Sequence, residues 1–182
     1  IGFSYFETYQ MQQIRLMGTT ADAWITNVTE EQLVEISKSS LVLDVGIQQR
    51  LGSVDTEQLR NARLGIVWID DTEWEHHRLP TISGVVGNYP SSKNEIMLPT
   101  WVLEQMGISD PQIGMEIVLS YQIGDSYDYV TDTFLLSGYY TDCIPMRTNN
   151  RGYVYVSSAF NDSLNVSLDK SVTAMIRFQV ND

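Results

Sequence analysis

Ser171–Val180 alternates almost without fault. Val172, Ala174, Ile176, Phe178 and Val180 fall on one side, and Thr173, Met175, Arg177 and Gln179 on the other. A period of two is the mark of a strand half-buried in a sheet. A strand of that kind needs partners, and at the end of a chain they must come from earlier in the sequence. Ala21–Val28 (ADAWITNV), with the β-favouring Trp24 and Ile25, is the natural candidate. The final strand is therefore expected to return to a sheet that this early one begins.

The residues just after the early strand strengthen that expectation. Thr29-Glu30-Glu31-Gln32 is a capping box, in which the Thr hydroxyl accepts from the Gln32 amide and Gln32 reaches back to the Thr29 amide. Glu30 and Glu31 fall in the first turn, where the helix dipole favours negative charge. Leu33 and Ile36 give the helix one apolar face, and it frays at Ser39-Ser40. Leu41–Ile47 then reads as a second strand. Strand, helix and strand in so few residues make one half of a split β-α-β layer.

The middle is of another kind. Residues 48–64 read as a polar loop or short helix before a strand at Gly65–Ile69. Asp70–His77 is a carboxylate-rich segment, and Gly84–Glu95 is rich in turn formers. Ile96-Met97-Leu98 reads as a short strand, and Trp101–Met106 as a helix closed by Gly107. Further strands are expected at Glu116–Tyr121, Thr133–Tyr140 and Tyr153–Ser157. Residues 66–164 hold 13 acidic and 4 basic side chains, so most of the acidity of the chain lies there, as a solvated face. The fold class expected is α+β, with a discontinuous subdomain of residues 18–65 and 165–182 and an inserted, strand-rich subdomain at 66–164. Residues 1–17 have roughly helical apolar spacing, ended by Gly18.

Several function classes are excluded or left without support. With 23 acidic against 11 basic residues, the chain lacks the basic footprint of a nucleic-acid-binding protein. Cys143 is the single cysteine, so no internal disulfide and no CxxC pair exists. No apolar run approaches the roughly 20 residues that span a bilayer. The abrupt start at Ile1 reads as a processed or excised chain. There is no GxSxG, P-loop or GxGxxG motif. His76 and His77 sit beside Asp70, Asp71, Glu73 and Glu75. Glu73 and His77 would share a helical face, whereas an alternating strand would point the two histidines apart. The reading that needs least is an acidic, solvated patch. No catalytic residue, cofactor-binding residue or metal ligand is expected.

The phrase Thr26–Leu33 (TNVTEEQL) resembles the first lobe of the extracytoplasmic, MacB-type periplasmic core domains of FtsX-like ABC transporter permeases. Gly87-Asn88-Tyr89-Pro90, Asn94–Leu98, Met106-Gly107-Ile108, Ile113–Ile117, Phe134–Tyr140 and Tyr153–Ser157 resemble successive phrases of the same family. The likeness covers roughly residues 19–182. It implies a porter-like split β-α-β subdomain with a strand-rich lobe inserted, and a stalk at residues 1–17. It further implies flanking transmembrane helices absent from this chain, a location on the outer side of the cell membrane, and a cytoplasmic ATP-binding subunit as partner. The family's role would be non-catalytic: ATP-driven helix movement is passed to a peptide, lipid or protein outside the membrane. No cofactor and no nucleic acid belong to that picture. Exposed aromatics of the inserted lobe, Trp74, Tyr127 and Tyr129, are the expected partner contacts, the last two on the hairpin tip Gly124–Tyr129. Two other readings stand beside it: a secreted hydrolase using the Asp70–His77 carboxylates and histidines, with or without zinc, and a wall-associated binding module.

Overall fold

In a computed structural model that describes residues 18–126, 128–165 and 171–179, the alternating C-terminal segment is β9 (Val172–Phe178). It lies between β1 (Ala23–Thr26) and β2 (Val42–Val54), antiparallel to both, with Ala23 opposite Ile176 and Val45 opposite the same residue from the other side. β1 and β2 therefore run parallel, one strand apart, and α1 (Glu30–Lys38) connects them. The capping box is formed: the Thr29 hydroxyl accepts from the Gln32 amide at 3.2 Å, and Gln32 Oε1 accepts from the Thr29 amide at 2.9 Å. Leu33 and Ile36 of α1 pack on Val28, Ala174 and Ile176. The helix covers one face of the three strands. Their other face carries Trp24, Thr26, Asp44, Gly46, Gln48, Thr173, Met175 and Arg177, because residues directly opposite across a ladder share a side.

Beyond these three strands the pairing runs in a circle. β2 pairs with β3 (Arg63–Ile69), β3 with β8 (Arg151–Val156), and β8 with β5 (Glu95–Pro99). β5 pairs with β7 (Val130–Thr141), β7 with β6 (Glu116–Ile123), and β6 returns to β2. Six strands close on themselves, with β3/β8 and β5/β7 parallel and the other pairs antiparallel. Closure removes the edges that an open sheet would expose. β3 shows how the wall is built. Leu64, Ile66 and Trp68 turn into the main core, with Leu51, Leu98, Ile117, Leu119, Phe134 and Leu136. Val67 and Ile69 turn outward, to a second cluster with Met97, Tyr140 and Tyr155. β5 is buried on both faces, Ile96, Met97 and Leu98 all being fully buried, which is why it reads as a continuous apolar run.

Short elements complete the shell. α2 (Thr100–Gln105) gives Trp101, Val102 and Leu103 to the main core, and α4 (Ser158–Asp162) gives Phe160. α3 (Ile144–Thr148) links β7 to β8, and β4 (Ser83–Gly87) lines the outer side of β7. No helix among the described residues is long and apolar enough to cross a membrane.

Two expectations are corrected. Residues 48–54 are not a loop: β2 continues to Val54, because Gln48, Gln49 and Arg50 pair with Ile69, Trp68 and Val67 of β3. The turn-rich passage from Gly84 begins as a strand, the exposed β4, held by Val86 and Gly87 opposite Tyr139 and Gly138. β3 runs through residue 65, and β2 serves both the three-strand layer and the barrel. The helix expected at 1–17 lies outside the described residues.

β2 serves both because it bends at a bulge between Arg50 and Gly52. There β6 comes so close that a Cβ on Gly52 would stand 1.9 Å from the Gln122 carbonyl oxygen. That is backbone, with no flexible end to move aside. Gly52→Ala is therefore expected to lower stability by about 1–3 kcal/mol, the usual range for an overpacked core. Urea midpoints measure it, and an unchanged midpoint would show that the seam between β2 and β6 is not tight.

Candidate functional site

The acidic segment expected to be solvated is where the protein buries its charge. Asp70–Arg78 does not form a strand. Asp70 caps a helical turn, its Oδ1 accepting from the Glu73 amide and from the Ile47 amide of β2, both at 2.9 Å. The turn Glu73–Arg78 is π-helical, a form often found at functional positions. It lies against β2 at Gly46, where a Cβ would stand 2.5 Å from Glu73 Oε2 and 2.8 Å from Glu73 Cα. Glycine there lets the turn sit directly on the strand.

This packing places six ionic side chains in one chain of contacts. Glu73 and His77 are fully buried, and Arg78 is 4% exposed. His77 Nδ1 meets Glu73 Oε2, and His77 Nε2 meets Asp44 Oδ1 at 2.8 Å. Glu73 Oε1 accepts from Arg78 Nε at 2.7 Å. Arg78 also donates to Gln48 Oε1 and, at 3.1 Å, to the Gly18 carbonyl, and its guanidinium lies 5.3 Å from the ring centre of Tyr153. Asp44 receives Arg177 of β9 on both oxygens, at 3.0 and 3.2 Å from Nε, and the exposed His76 at 3.0 Å.

The protonation of His77 is set by the geometry. Both ring nitrogens face carboxylate oxygens, which only accept, so only the imidazolium supplies a donor to each. Burial alone would favour the neutral ring. The hydrogen bonds to Glu73 and Asp44 outweigh it and raise the pKa above its ordinary 6.5. Burial likewise pushes the Asp44 carboxyl up, but its bonds from Arg177, His77 and His76 hold it well below the usual carboxylate range. Glu73 is thus matched by His77 and Arg78 within a space closed to water, and the partly exposed Asp44 at its rim joins His77 to Arg177.

The same turn grips the incoming chain. The Thr20 amide donates to the His77 carbonyl at 3.0 Å, the Thr20 hydroxyl to the His76 carbonyl at 2.8 Å, and the Thr81 hydroxyl to the Gly18 carbonyl at 3.3 Å. The turn therefore joins four parts: residues 18–20, β2, β9 through Asp44 and Arg177, and the outer wall of the barrel. Trp74 makes the last contact, its ring 5.3 Å from Tyr89 and 5.7 Å from Tyr155.

The residues singled out from the sequence scatter accordingly. Trp74 is half-buried and committed to that aromatic cluster, so the exposure expected of it is not found. Tyr129 is 56% exposed beside β7, in the connection between Tyr121 and its partner Val130. Tyr127 lies outside the described residues. His77 is not an exposed histidine but fully buried, and both its nitrogens are taken by carboxylates. Among the described residues, no group of three His, Cys, Asp or Glu side chains is placed to hold a metal ion. The sequence alone does not single out Asp44 and Arg177. Their signal is positional: both fall on the polar side of strands that alternate.

No protein-family model and no curated protein matches this sequence. Among solved structures, the chain is similar to "a domain of a putative permease protein" from Porphyromonas gingivalis. The two share 11% identity and a TM-score of 0.47, over 85% of this chain and 69% of that one. A likeness of that size leaves function to be argued from the chain itself.

Two outcomes test the ionic cluster. Because the folded pKa of His77 lies above 6.5, its contribution to stability is complete below that pH and is lost as pH rises through the raised value. The urea midpoint is expected to fall on passing upward through neutral pH, and His77→Gln to lack this fall. A level or rising wild-type midpoint would contradict the charged ring. Glu73→Gln removes the charge that Arg78 and His77 share and is expected to cost about 3–5 kcal/mol in the same measurement.

Proposed function

We propose that this chain is a non-catalytic, extracytoplasmic domain of a membrane permease of the MacB-type, FtsX-like kind, which passes movement of flanking membrane helices to a partner outside the membrane. The observation that carries this reading is the junction of the first and last described parts of the chain. The Phe178 amide donates to Asp22 Oδ2 at 2.9 Å, and the Gln179 amide to the Leu41 carbonyl at 2.8 Å. A domain in which residues 22 and 178–179 lie side by side is suited to insertion between two segments of a longer protein.

The joint around His77 gives that insertion a mechanical sense. A pull on residues 18–20 is received by the carbonyls of His76 and His77 and by Arg78, not by a flexible loop. The turn passes it to β2 through Asp70 and Glu73, and to the barrel wall through Trp74. In this reading β1, β9, β2 and α1 are the porter-like base, and the barrel is the part displaced. The hydrolase reading has less support: of its two histidines, His77 is enclosed by its own neighbours, and the exposed His76 is held by Asp44.

The parent reading frame tests the proposal most cheaply. Apolar runs of about 20 residues are expected shortly before residue 1 and shortly after residue 182, with an ATP-binding subunit co-purifying with the detergent-solubilised parent. A parent without such runs on both sides would overturn the proposal.

A further inference from the structure

β1 has a strand on one side only. It pairs with β9, and no described strand lies along its other side, so every second residue of Ala23–Thr26 turns an N–H and a C=O away from the sheet. Open grooves border this edge on both faces. On the helix side, Ile25 and Ile36 form the floor of a groove of about 280 Å³, and Glu31 and Glu35 rim it one helical turn apart. On the opposite side, a groove of about 290 Å³ runs from Trp24 and Thr26 across Thr173 and Met175 to Gln48, Arg78 and Tyr153. Trp24 is 49% and Ile25 38% exposed, large apolar side chains that a solvated edge does not call for.

We infer that the β1 edge is a docking site for an extended peptide strand, apolar at its centre and basic at its flanks. Strand addition uses the free backbone groups for affinity and alternate side chains for choice. Here, one set of side chains would enter the Ile25–Ile36 groove and the other would lie along Trp24 and Thr26. Charge selects the occupant. Glu31 and Glu35 are both exposed; among the described residues Glu35 has only the solvent-exposed Lys38 at 3.5 Å, a contact of small value. A basic side chain on the helix face of the added strand meets both glutamates. A second copy of this chain is disfavoured, because pairing β1 with β1 would set two rows of glutamates against each other. The inference does not depend on the permease reading, since the edge and its grooves are the same whatever the parent protein is.

The test uses the 182-residue chain and two capped synthetic peptides, Lys-Thr-Ile-Thr-Ile-Thr-Lys and its counterpart with Glu at both ends. Saturable binding of the lysine peptide is expected, with slowed hydrogen exchange at residues 23–26. The double variant E31K/E35K is expected to weaken that binding about tenfold and to prefer the glutamate peptide. The reciprocal preference shows that the variant is folded. The inference is overturned by absence of saturable binding up to about 1 mM, by equal binding of the two peptides, by binding that leaves residues 23–26 unprotected, or by dimerisation of the chain through this edge.

Discussion

His77 stands between two carboxylates in a place that water does not reach, and most of the architecture is arranged so that it can. Glu73 and His77 come from one helical turn and Asp44 from β2, while Arg78 pairs with Glu73 and Arg177 with Asp44. Buried ions are costly to desolvate, and a set of this kind is tolerated only where every member is paired and hydrogen-bonded. The pairing here is complete, and it requires three backbone segments to be held in register at once. The cluster is thus better seen as a device that specifies how parts meet than as a source of stability.

The parts that meet are of different mechanical character. The barrel is closed, its core is filled from six strands, two short helices and Leu59 of a single turn, and it offers no lateral edge along most of its circumference. The β1-β9-β2 layer is smaller, covered by a single helix on one face and open at β1. β2 runs through both, bending at Gly52. A single shared strand would be a hinge. The turn at Glu73–Arg78 spans the outside of that hinge and ties the layer to the barrel wall, while it also fastens the chain where it arrives at Gly18 and Thr20.

Local chemistry makes part of this legible in the sequence. The capping box, the alternation of β9 and the apolar run of β5 each depend on neighbours in sequence, and each is found at its expected place. Failures have a common cause. Gln48–Arg50 look like a loop because nothing nearby reveals that β3 will pair with them. Glu73-Trp74-Glu75-His76 alternates like an exposed strand, and only the close approach allowed by Gly46 makes it a buried turn. The i, i+4 spacing of Glu73 and His77 is visible, but Asp44 and Arg177, which complete the site, lie 33 residues before and 100 residues after His77.

Native-state hydrogen exchange on Arg78→Met tests the central claim most directly. If the turn is the joint, amides of Thr20, β1 and β9 exchange about a hundredfold or more faster than in the wild type, in keeping with the loss of one partner from a buried pair, while amides of β5 and β7 keep their protection. Uniform acceleration across the molecule, or unchanged exchange at Thr20 and β9, would contradict it.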